Sequence, residues 1–397
     1  MSVTPADVEG SPSETTGEAA PRCPPLRQAS VVISSYNYAD YLPACIESAL
    51  AQTYPWTEVV VVDDGSTDGS RRIIREYGRR IVPVLKENGG QASSMNAGFG
   101  ASRGDVVLFM DSDDLLDPTA VATAVELLPS GVVKAHWPLA IITGDGKRIG
   151  RLQPALPLGV GDLRERALTS CPTDYRRPPT TGNAWSRVFL ECIFPMPEKE
   201  FFVCPDYYLS ALAPLYGPIA AHPEPLGAWR LHGHNASFTP AYEDMVTRGY
   251  RVAEAGLVLA EEHCARLGLT PNPIAWRTQS YEHRLYHAMH DVISVIPEGR
   301  TFALADAGQW GANVVLRGRR AVPFLGCDGQ YWGEPADDRA AIEEVTRLRG
   351  TEVDWLVIAW PCYWWRSWYT QLARFLDEEC ACLLRNERVL IYRLDRA

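Results

Sequence analysis

The chain has no run of about eighteen apolar residues, the length that a helix needs to span a bilayer. Its N-terminus also lacks the basic and then apolar order of a signal peptide. These two absences argue against a membrane span and against export. The ten cysteines show no zinc-type spacing, and Cys380-Ala-Cys382 lacks the two intervening residues of a CxxC motif. Reduced thiols fit this pattern best, so we expect a cytoplasmic protein.

Positive charge is also scarce. The 397 residues include 38 Lys and Arg against 49 Asp and Glu, which gives a formal net charge of -11. A phosphate backbone would be repelled, so nucleic acid is not an expected partner. Hydrophobic residues make up 46% of the chain, enough for large cores in two or three domains. The oligomeric state stays open, with a homo-oligomer as one option.

The residue pattern changes three times along the chain. A first part rich in Pro, Ser, Thr, Gly and Glu has few large apolar groups, which predicts a disordered tail. Short β-branched runs then alternate with helical periods, as in an α/β domain with a largely parallel sheet. Two amphipathic helical segments, broken by prolines, follow, and then a small C-terminal α/β domain. The predicted boundaries are 1–28, 29–237, 238–297 and 298–397.

Three carboxylates, Asp111, Asp113 and Asp114, follow a strand-like run within four residues. Carboxylates this close repel one another, so the cluster is either solvated or compensated by a divalent cation. Because side chains alternate along a strand, Asp111 and Asp113 would project to one side and Asp114 to the other. A solvated acidic turn is the competing interpretation. Ligands of open α/β sheets collect at the carboxyl ends of strands, where Ser34 and Asp64 would also lie.

Four short segments follow one another in the first part of the chain: Val31 to Asn37, Val60 to Asp68, Asn88 to Gly90 and the DXD-containing Asp111 to Asp114. Their order and spacing resemble the family 2 glycosyltransferases. The resemblance covers residues 30–130 strongly and extends with weaker motifs to about residue 237. It implies a GT-A fold, a Rossmann-like mixed sheet, and inverting transfer of a sugar from a nucleoside diphosphate donor. Met95 departs from the pattern, because many relatives carry an arginine there and one phosphate-side contact cannot be transferred.

The resemblance assigns the nucleotide pocket to Ser34, Tyr36, Asp64 and Asn88. A uracil ring presents an N–H between two carbonyls, so its site needs an acceptor and an aromatic or apolar face. Asp64 and Tyr36 suit these tasks, which makes a UDP-sugar the expected donor. Each residue also has an ordinary structural alternative: Asp64 could form a turn before the next helix, Tyr36 could pack, and the others could bind local backbone groups.

The diphosphate of such a donor is the reason to expect a metal, because bond cleavage puts more negative charge on the leaving group. The resemblance implies Asp111 near the ribose and Asp113 as a ligand, with Asp114 orienting or solvated. The segment containing Arg230 and His232 resembles one in which the histidine approaches the metal and the arginine can contact phosphate. His232 is therefore the expected further ligand, and a loop hydrogen bond is its alternative. Oxygen ligands suit Mg²⁺ or Mn²⁺, and an added imidazole favours Mn²⁺.

Asp206 is the expected catalytic base. Direct displacement needs a carboxylate that takes a proton from the acceptor, and an Asp with the ordinary pKa of about 3.9 is ionised at neutral pH. Asp206 matches the family position where an acidic residue opens a helix facing the acceptor. A simple helix N-cap is the alternative. Glu198 and Glu200 are reserve candidates, and Thr180 to Asn183 could line the acceptor pocket.

Other functions remain open at this point. A sugar nucleotidyltransferase would carry a glycine-rich basic loop after the first strand, where this chain has Ser34-Ser35-Tyr36-Asn37. A non-catalytic nucleotide-sugar-binding scaffold would need neither the acidic cluster nor Asp206. A retaining transferase would differ in the anomeric configuration of the product. The sequence names neither the sugar nor the acceptor, a small molecule or a glycan, and we expect the tryptophan-rich C-terminal segment to be core.

Overall fold

The computed structural model describes residues 27–155, 157–233, 235, 241–311, 313–327, 330–331 and 333–395. Of the predicted disordered tail, residues 1–28, all but the last two lie outside the described residues.

The first part of the chain alternates strands with helices. The strands are β1 Ala29–Ser35, β2 Thr57–Asp64, β3 Val82–Lys86, β4 Val106–Asp111, β5 Leu115–Leu116, β6 Lys134–His136, β7 Leu139–Thr143, β8 Arg148–Gln153, β9 Asn183–Ser186, β10 Ile219–Ala221 and β11 Gly227–Leu231. The helices are α1 Leu42–Leu50, α2 Ser70–Glu76, α3 Gln91–Ala101, α4 Ala120–Leu127, α5 Arg164–Thr169, α6 Arg187–Ile193 and α7 Pro205–Tyr216, with 3-10 turns at Gly78–Arg80 and Thr180–Gly182.

A seven-stranded sheet of order β10-β6-β9-β4-β1-β2-β3 forms the centre of this part. Its strands β3, β2, β1 and β4 are parallel, and β9 is antiparallel to β4 and β6. Val32 and Phe109 pack on one face, Val31 and Leu108 on the other. Burial of both faces explains the nearly continuous β-branched runs of the sequence. The predicted GT-A-like mixed sheet is confirmed.

A second sheet, of order β5-β11-β7-β8, lies beside the acidic cluster. Strand β11 pairs antiparallel with β5, so that Ala228 aligns with Leu115, directly after the cluster. This pairing brings His232, just beyond β11, to the carboxylates that precede β5. The sequence pattern predicts one strand over residues 132–142, and this prediction is wrong, because β6 and β7 belong to different sheets.

The start of α4 also differs from the sequence prediction. The pair Asp117-Pro118 predicts Asp117 as the N-cap of a helix over residues 119–128. The N-cap is instead Thr119. The Asp117 carboxylate accepts hydrogen bonds from the Thr119 backbone N–H at 3.1 Å and from its hydroxyl at 2.8 Å. Asp117 therefore makes a turn ahead of the helix.

The rest of the chain is a helical segment followed by a third set of strands. The helices are α8 Tyr242–Leu267, α9 Pro273–Gln279 and α10 Tyr281–Val295. The strands β12 Thr301–Ala305, β13 Val315–Leu316, β14 Arg319–Pro323, β15 Gly326–Cys327, β16 Gln330–Tyr331, β17 Val353–Ala359, β18 Ala381–Arg385 and β19 Val389–Arg393 are accompanied by α11 Asp338–Arg349, a 3-10 turn at Trp360–Cys362, α12 Trp365–Trp368 and α13 Thr370–Glu379.

Six of these strands form a sheet of order β13-β14-β12-β17-β19-β18. Trp355 and Trp365 are buried, as expected, whereas Trp364 and Trp368 are 41% and 72% exposed. Within the described ranges, every helix is too short or too polar to cross a bilayer.

Candidate active site

A pocket of about 580 Å³ opens at the carboxyl ends of β1, β2 and β4. Of the eight site residues predicted from the sequence, His232 alone is not part of the lining. It lies behind Asp113. The structure therefore brings the predicted nucleotide, metal and base residues to one cavity. The predicted residues that line it are Ser34, Tyr36, Asp64, Asn88, Asp111, Asp113 and Asp206.

Asp64 anchors the loop at one end of the pocket. Its carboxylate accepts hydrogen bonds from the backbone N–H groups of Gly89 at 3.0 Å and Gly90 at 2.8 Å, and from Lys86 Nζ at 2.6 Å. Gly90 has a φ of +86°, and a Cβ there would lie 2.6 Å from Phe202, so a larger residue would be strained. Asp64 thus supports the local fold while its side chain also borders the pocket.

Two serine hydroxyls at the end of β1 indicate a binding site for a polar ligand. The Oγ atoms of Ser34 and Ser35 are buried and have no hydrogen-bond partner among the described residues. Buried hydroxyls are normally paired, so a bound polar group would satisfy them. Tyr36 is 45% exposed at the same end and lines the pocket, so its ring is half-buried with one part open to a ligand.

Asp111 lies at the end of β4 with a carboxylate neighbour on each side of the pocket. Its Oδ1 accepts a hydrogen bond from Gln91 Nε2 at 3.3 Å. Desolvation raises the pKa of Asp111 to about 8, and the charges of Asp113 and Asp206 add to the rise. At pH 7 the carboxyl group therefore holds a proton unless positive charge is supplied nearby.

Asp113 is held from behind by the segment after β11. Its Oδ2 contacts His232 Nε2 at 3.0 Å and accepts a hydrogen bond from Asn235 Nδ2 at 3.1 Å. The His232 ring stacks on Tyr41 with centroids 4.6 Å apart and meets the edge of Tyr38 at 5.7 Å. The aromatic packing fixes the imidazole, and the imidazole orients the carboxylate.

Asp114 is fully buried and faces away from the pocket. It accepts hydrogen bonds from Thr181 Oγ1 at 2.6 Å and from the Arg230 backbone N–H at 3.0 Å. The solvated alternative for Asp114 was therefore wrong. Arg230 is itself only 6% exposed. Its Nε donates to the Asp113 carbonyl at 2.7 Å, so it is not a surface ion-pair residue.

The acidic cluster fits a cation whose remaining coordination positions are filled by a bound ligand. The described part of the chain contains no group of three or more His, Cys, Asp and Glu arranged to hold a metal. The side-chain contacts of Asp113 found there use Oδ2, and Asp113 also lines the pocket. Mg²⁺ and similar ions are commonly held by one or two carboxylates together with substrate phosphates and water. His232 would have to exchange its contact with Asp113 in order to coordinate.

Asp206 lies in the first turn of α7, across the pocket from the acidic cluster. Cys204, at φ 60°, is the N-cap of this helix, so Asp206 is not the simple cap that was the alternative. Desolvation raises the pKa of Asp206, and the positive charges of Arg177 and Lys134 oppose the rise. Sequence reasoning missed both cations, because neither lies in a recognisable motif.

The reserve candidates for the base lie elsewhere. Glu198 and Glu200 are exposed and do not line the pocket, and Glu198 accepts a hydrogen bond from Asn96 at 3.1 Å. Of the polar turn proposed for the acceptor, Thr180 lines the pocket, whereas Asn183 is buried and donates to the Pro179 carbonyl. Of the three candidate carboxylates, Asp206 is therefore the one that lines the pocket.

Gln91, the first residue of α3, also escaped the sequence analysis. Its Nε2 donates to Asp111 and its Oε1 accepts from the Cys204 backbone N–H at 3.0 Å. The amide thereby joins the acidic cluster to the start of α7. The only signal in the sequence was its position directly after Gly89-Gly90.

Comparisons with known proteins identify chains of similar sequence and structure. A model of glycosyl transferase family 2 matches residues 30–159. An uncharacterized glycosyltransferase of Nostoc sp. is 34% identical over 268 residues, which cover 64% of this chain and 82% of that protein. An uncharacterized protein of Mycobacterium bovis is 29% identical over 267 residues, 62% of this chain and 73% of its own. The crystal structure of S. aureus TarS 1-349 with UDP-GlcNAc is similar at a TM-score of 0.47 and 19% identity, over 66% of this chain and 72% of that one.

Proposed function

Since this chain belongs to the family 2 glycosyltransferases, we propose that it transfers a sugar from a UDP-sugar to an acceptor hydroxyl, with inversion and with a divalent cation. One observation carries the proposal: Ser34, Asp113 and Asp206 line the same pocket. That pocket has room for a nucleotide sugar in a volume of about 580 Å³. The acceptor is a small molecule or a glycan.

The nucleotide end of the pocket supports a uracil-containing donor. The Asp64 carboxylate offers acceptor capacity beside a half-exposed aromatic ring, Tyr36. The unpaired hydroxyls of Ser34 and Ser35 supply further polar contacts, and Asn88 borders the same space. Lys86 and two backbone amides hold Asp64, which keeps its carboxylate fixed when a base enters.

Asp113 and Asp111 would hold the cation, with His232 as a further ligand and Mn²⁺ or Mg²⁺ as the fitting ions. When bound, such an ion supplies positive charge to the leaving diphosphate. Asn235 and the stacked imidazole of His232 keep Asp113 turned toward the pocket. The raised pKa of Asp111 fits this role, because a carboxyl group that resists ionisation in the free protein becomes stable as a carboxylate beside a cation.

Asp206 would accept the proton of the acceptor hydroxyl. As that oxygen bonds to the anomeric carbon, the bond between this carbon and the diphosphate oxygen breaks, and the diphosphate leaves with the electron pair. A single displacement of this kind inverts the anomeric configuration. Asp206 lies outside the acidic cluster, and it differs from Asp64, the other such carboxylate of the pocket, whose oxygens are held by Lys86 and two backbone N–H groups. This separates proton transfer from leaving-group stabilisation. We propose that the enzyme acts in the cytoplasm, and eight cysteines of the described residues that form no disulfide support this.

The test is a panel of UDP-, GDP- and dTDP-sugars with Mn²⁺, Mg²⁺ or EDTA, read by the melting temperature and by slow donor hydrolysis. We expect a UDP-sugar with Mn²⁺ to raise the melting temperature and to be hydrolysed, and EDTA to remove both effects. Asp162→Asn, which neutralises an exposed carboxylate outside the pocket, is the control variant. A protein that responds to no nucleotide sugar with either cation, or that responds equally with EDTA, would contradict the proposal.

A further inference from the structure

Lys134 is a buried cation without a short ion pair. On β6 it is fully buried, and its Nζ donates to Tyr175 Oη at 3.2 Å and to Ser210 Oγ at 3.3 Å. It also lies 5.0 Å from the ring centroid of Trp185. Within the described ranges, no carboxylate lies within 4.0 Å of its ammonium group. A buried ammonium is costly unless charge compensates it, so a longer-range partner is expected.

Arg177 approaches the same helix from the loop after Tyr175. Its guanidinium lies over the Tyr207 ring, 5.2 Å from the centroid, and donates to the Thr173 carbonyl at 3.1 Å. Its side chain is 20% exposed, and its ion pair to Glu282 is long, at 3.8 Å. Much of its charge therefore remains uncompensated by contact.

Both cations surround the turn of α7 that carries Asp206. Ser210, which binds Lys134, lies four residues after Asp206 and therefore on the same face of the helix. Tyr207, which packs under Arg177, is the residue after Asp206. Neither cation forms a direct ion pair with Asp206 in the described part of the chain. Their charges act on it across the helix face.

We propose that Lys134 and Arg177 are positioning residues that keep Asp206 ionised inside the acceptor side of the pocket. The inference rests on the proposed function, in which Asp206 must be a carboxylate to take the acceptor proton. Neither cation would touch the reacting atoms. Each would stabilise the carboxylate form of Asp206 and so offset the effect of burial, which favours the protonated form.

The charge coupling is reciprocal. Desolvation raises the pKa of Asp206, while Arg177 and then Lys134 lower it. Desolvation likewise lowers the pKa of Lys134 well below its usual value, Arg177 adds to this, and Asp206 opposes it. Asp111 of β4, across the pocket, works against the ionisation of Asp206, because both groups are carboxylates. The remaining groups around this turn are Glu282 from α10, Arg248 from α8, and the neutral Tyr175, Cys204 and Tyr207.

The first test measures the ionisation of Asp206 directly. Protein labelled with ¹³C at aspartate carboxyl groups is titrated by NMR, and Asp206→Asn identifies the signal. We expect Lys134→Met and Arg177→Met each to raise the pKa of Asp206 by about one pH unit, the size expected of a nearby charge. Lys147→Met, at a side chain that is 81% exposed, should leave it unchanged. An unchanged Asp206 pKa in the folded variants would overturn the inference.

The second test uses donor hydrolysis against pH. In both variants the acidic limb of the pH–activity profile should move to higher pH by about one unit, in parallel with the pKa of Asp206. If Lys134 and Arg177 had a purely structural role, the variants would lose stability or rate, but the acidic limb of the pH–activity profile would stay at the same pH. If Lys134→Met does not fold, Arg177→Met at its partly exposed site carries both measurements. Asp206→Asn could hydrolyse the donor at the full rate while Lys134→Met and Arg177→Met still raise the pKa of Asp206. That result would show that Asp206 is not the base, but it would support the charge coupling.

Discussion

The two walls of the pocket hold carboxylates in opposite electrostatic settings. The donor wall, Asp111 and Asp113, is surrounded by neutral hydrogen-bond donors and by the imidazole of His232. The nearest arginine, Arg230, turns its Nε to a backbone carbonyl instead of a carboxylate. The acceptor wall, Asp206, has cations of the chain nearby. The chain therefore places positive charge beside the acceptor wall, whereas the donor wall would take its positive charge from a bound cation.

This difference matches the chemistry that each wall would perform. A leaving diphosphate brings its own negative charge, so a permanent cation there would hold the product as firmly as the donor, whereas an exchangeable ion can enter and leave with the nucleotide. A base needs no partner from solution. It needs only to stay ionised, which a fixed positive charge such as that of Arg177 would favour at every turnover.

Neutralising the acceptor wall should have the largest effect. Asp206→Asn keeps the side-chain size but removes the proton acceptor, so we expect sugar transfer to fall by about 1,000-fold. The melting-temperature shift by donor and Mn²⁺ should remain, because the donor wall is unchanged. Transfer rates near those of the unmodified protein would show that another group takes the proton.

Neutralising the donor wall should come next. Asp113→Asn removes the expected cation ligand, and we expect turnover to fall by about 100-fold. In contrast to Asp206→Asn, the Mn²⁺-dependent shift of the melting temperature should disappear as well. Asp162→Asn controls for the change of net charge. Retention of the Mn²⁺ shift in Asp113→Asn would mean that the ion binds elsewhere.

The donor wall should also make stability depend on pH. The pKa of Asp111 is about 8 in the folded chain, against about 4 for an unfolded aspartate. The folded state then binds the additional proton, so the melting temperature of cation-free protein should fall as the pH rises from about 4 to about 8. Asp111→Asn and saturating Mn²⁺ should each flatten this slope. Parallel curves for all three samples would contradict the assignment.

The smallest effect is expected at the nucleotide end. Lys86→Met removes one of three donors to the Asp64 carboxylate and leaves the two backbone amides. Loss of one charged hydrogen bond of about 1.5 kcal/mol should weaken UDP binding by roughly tenfold. Calorimetric titration with UDP measures this. Lys147→Met is the matched control, and equal affinity in both would mean that Lys86 has no part in holding Asp64.

Much of the donor wall could be predicted from the sequence, because its residues follow strands whose hydrophobic pattern is unmistakable. Asp111 and Asp64 lie where β4 and β2 end, and parallel strands bring such ends together. Lys134 could not be found in this way. It lies in a three-residue strand that the sequence pattern merged with β7, and its surroundings come from residues 41 and 76 positions away. Long-range packing of this kind leaves no local pattern.

Gln91 gives the pocket a fixed span. One amide group donates to the carboxylate at the end of β4 and accepts from the backbone at the start of α7. In the proposed reaction, the reach of this one side chain of α3 would set the distance between the departing diphosphate and the base. A shorter residue at this position would let the two halves of the reaction drift apart while every reacting group was still present.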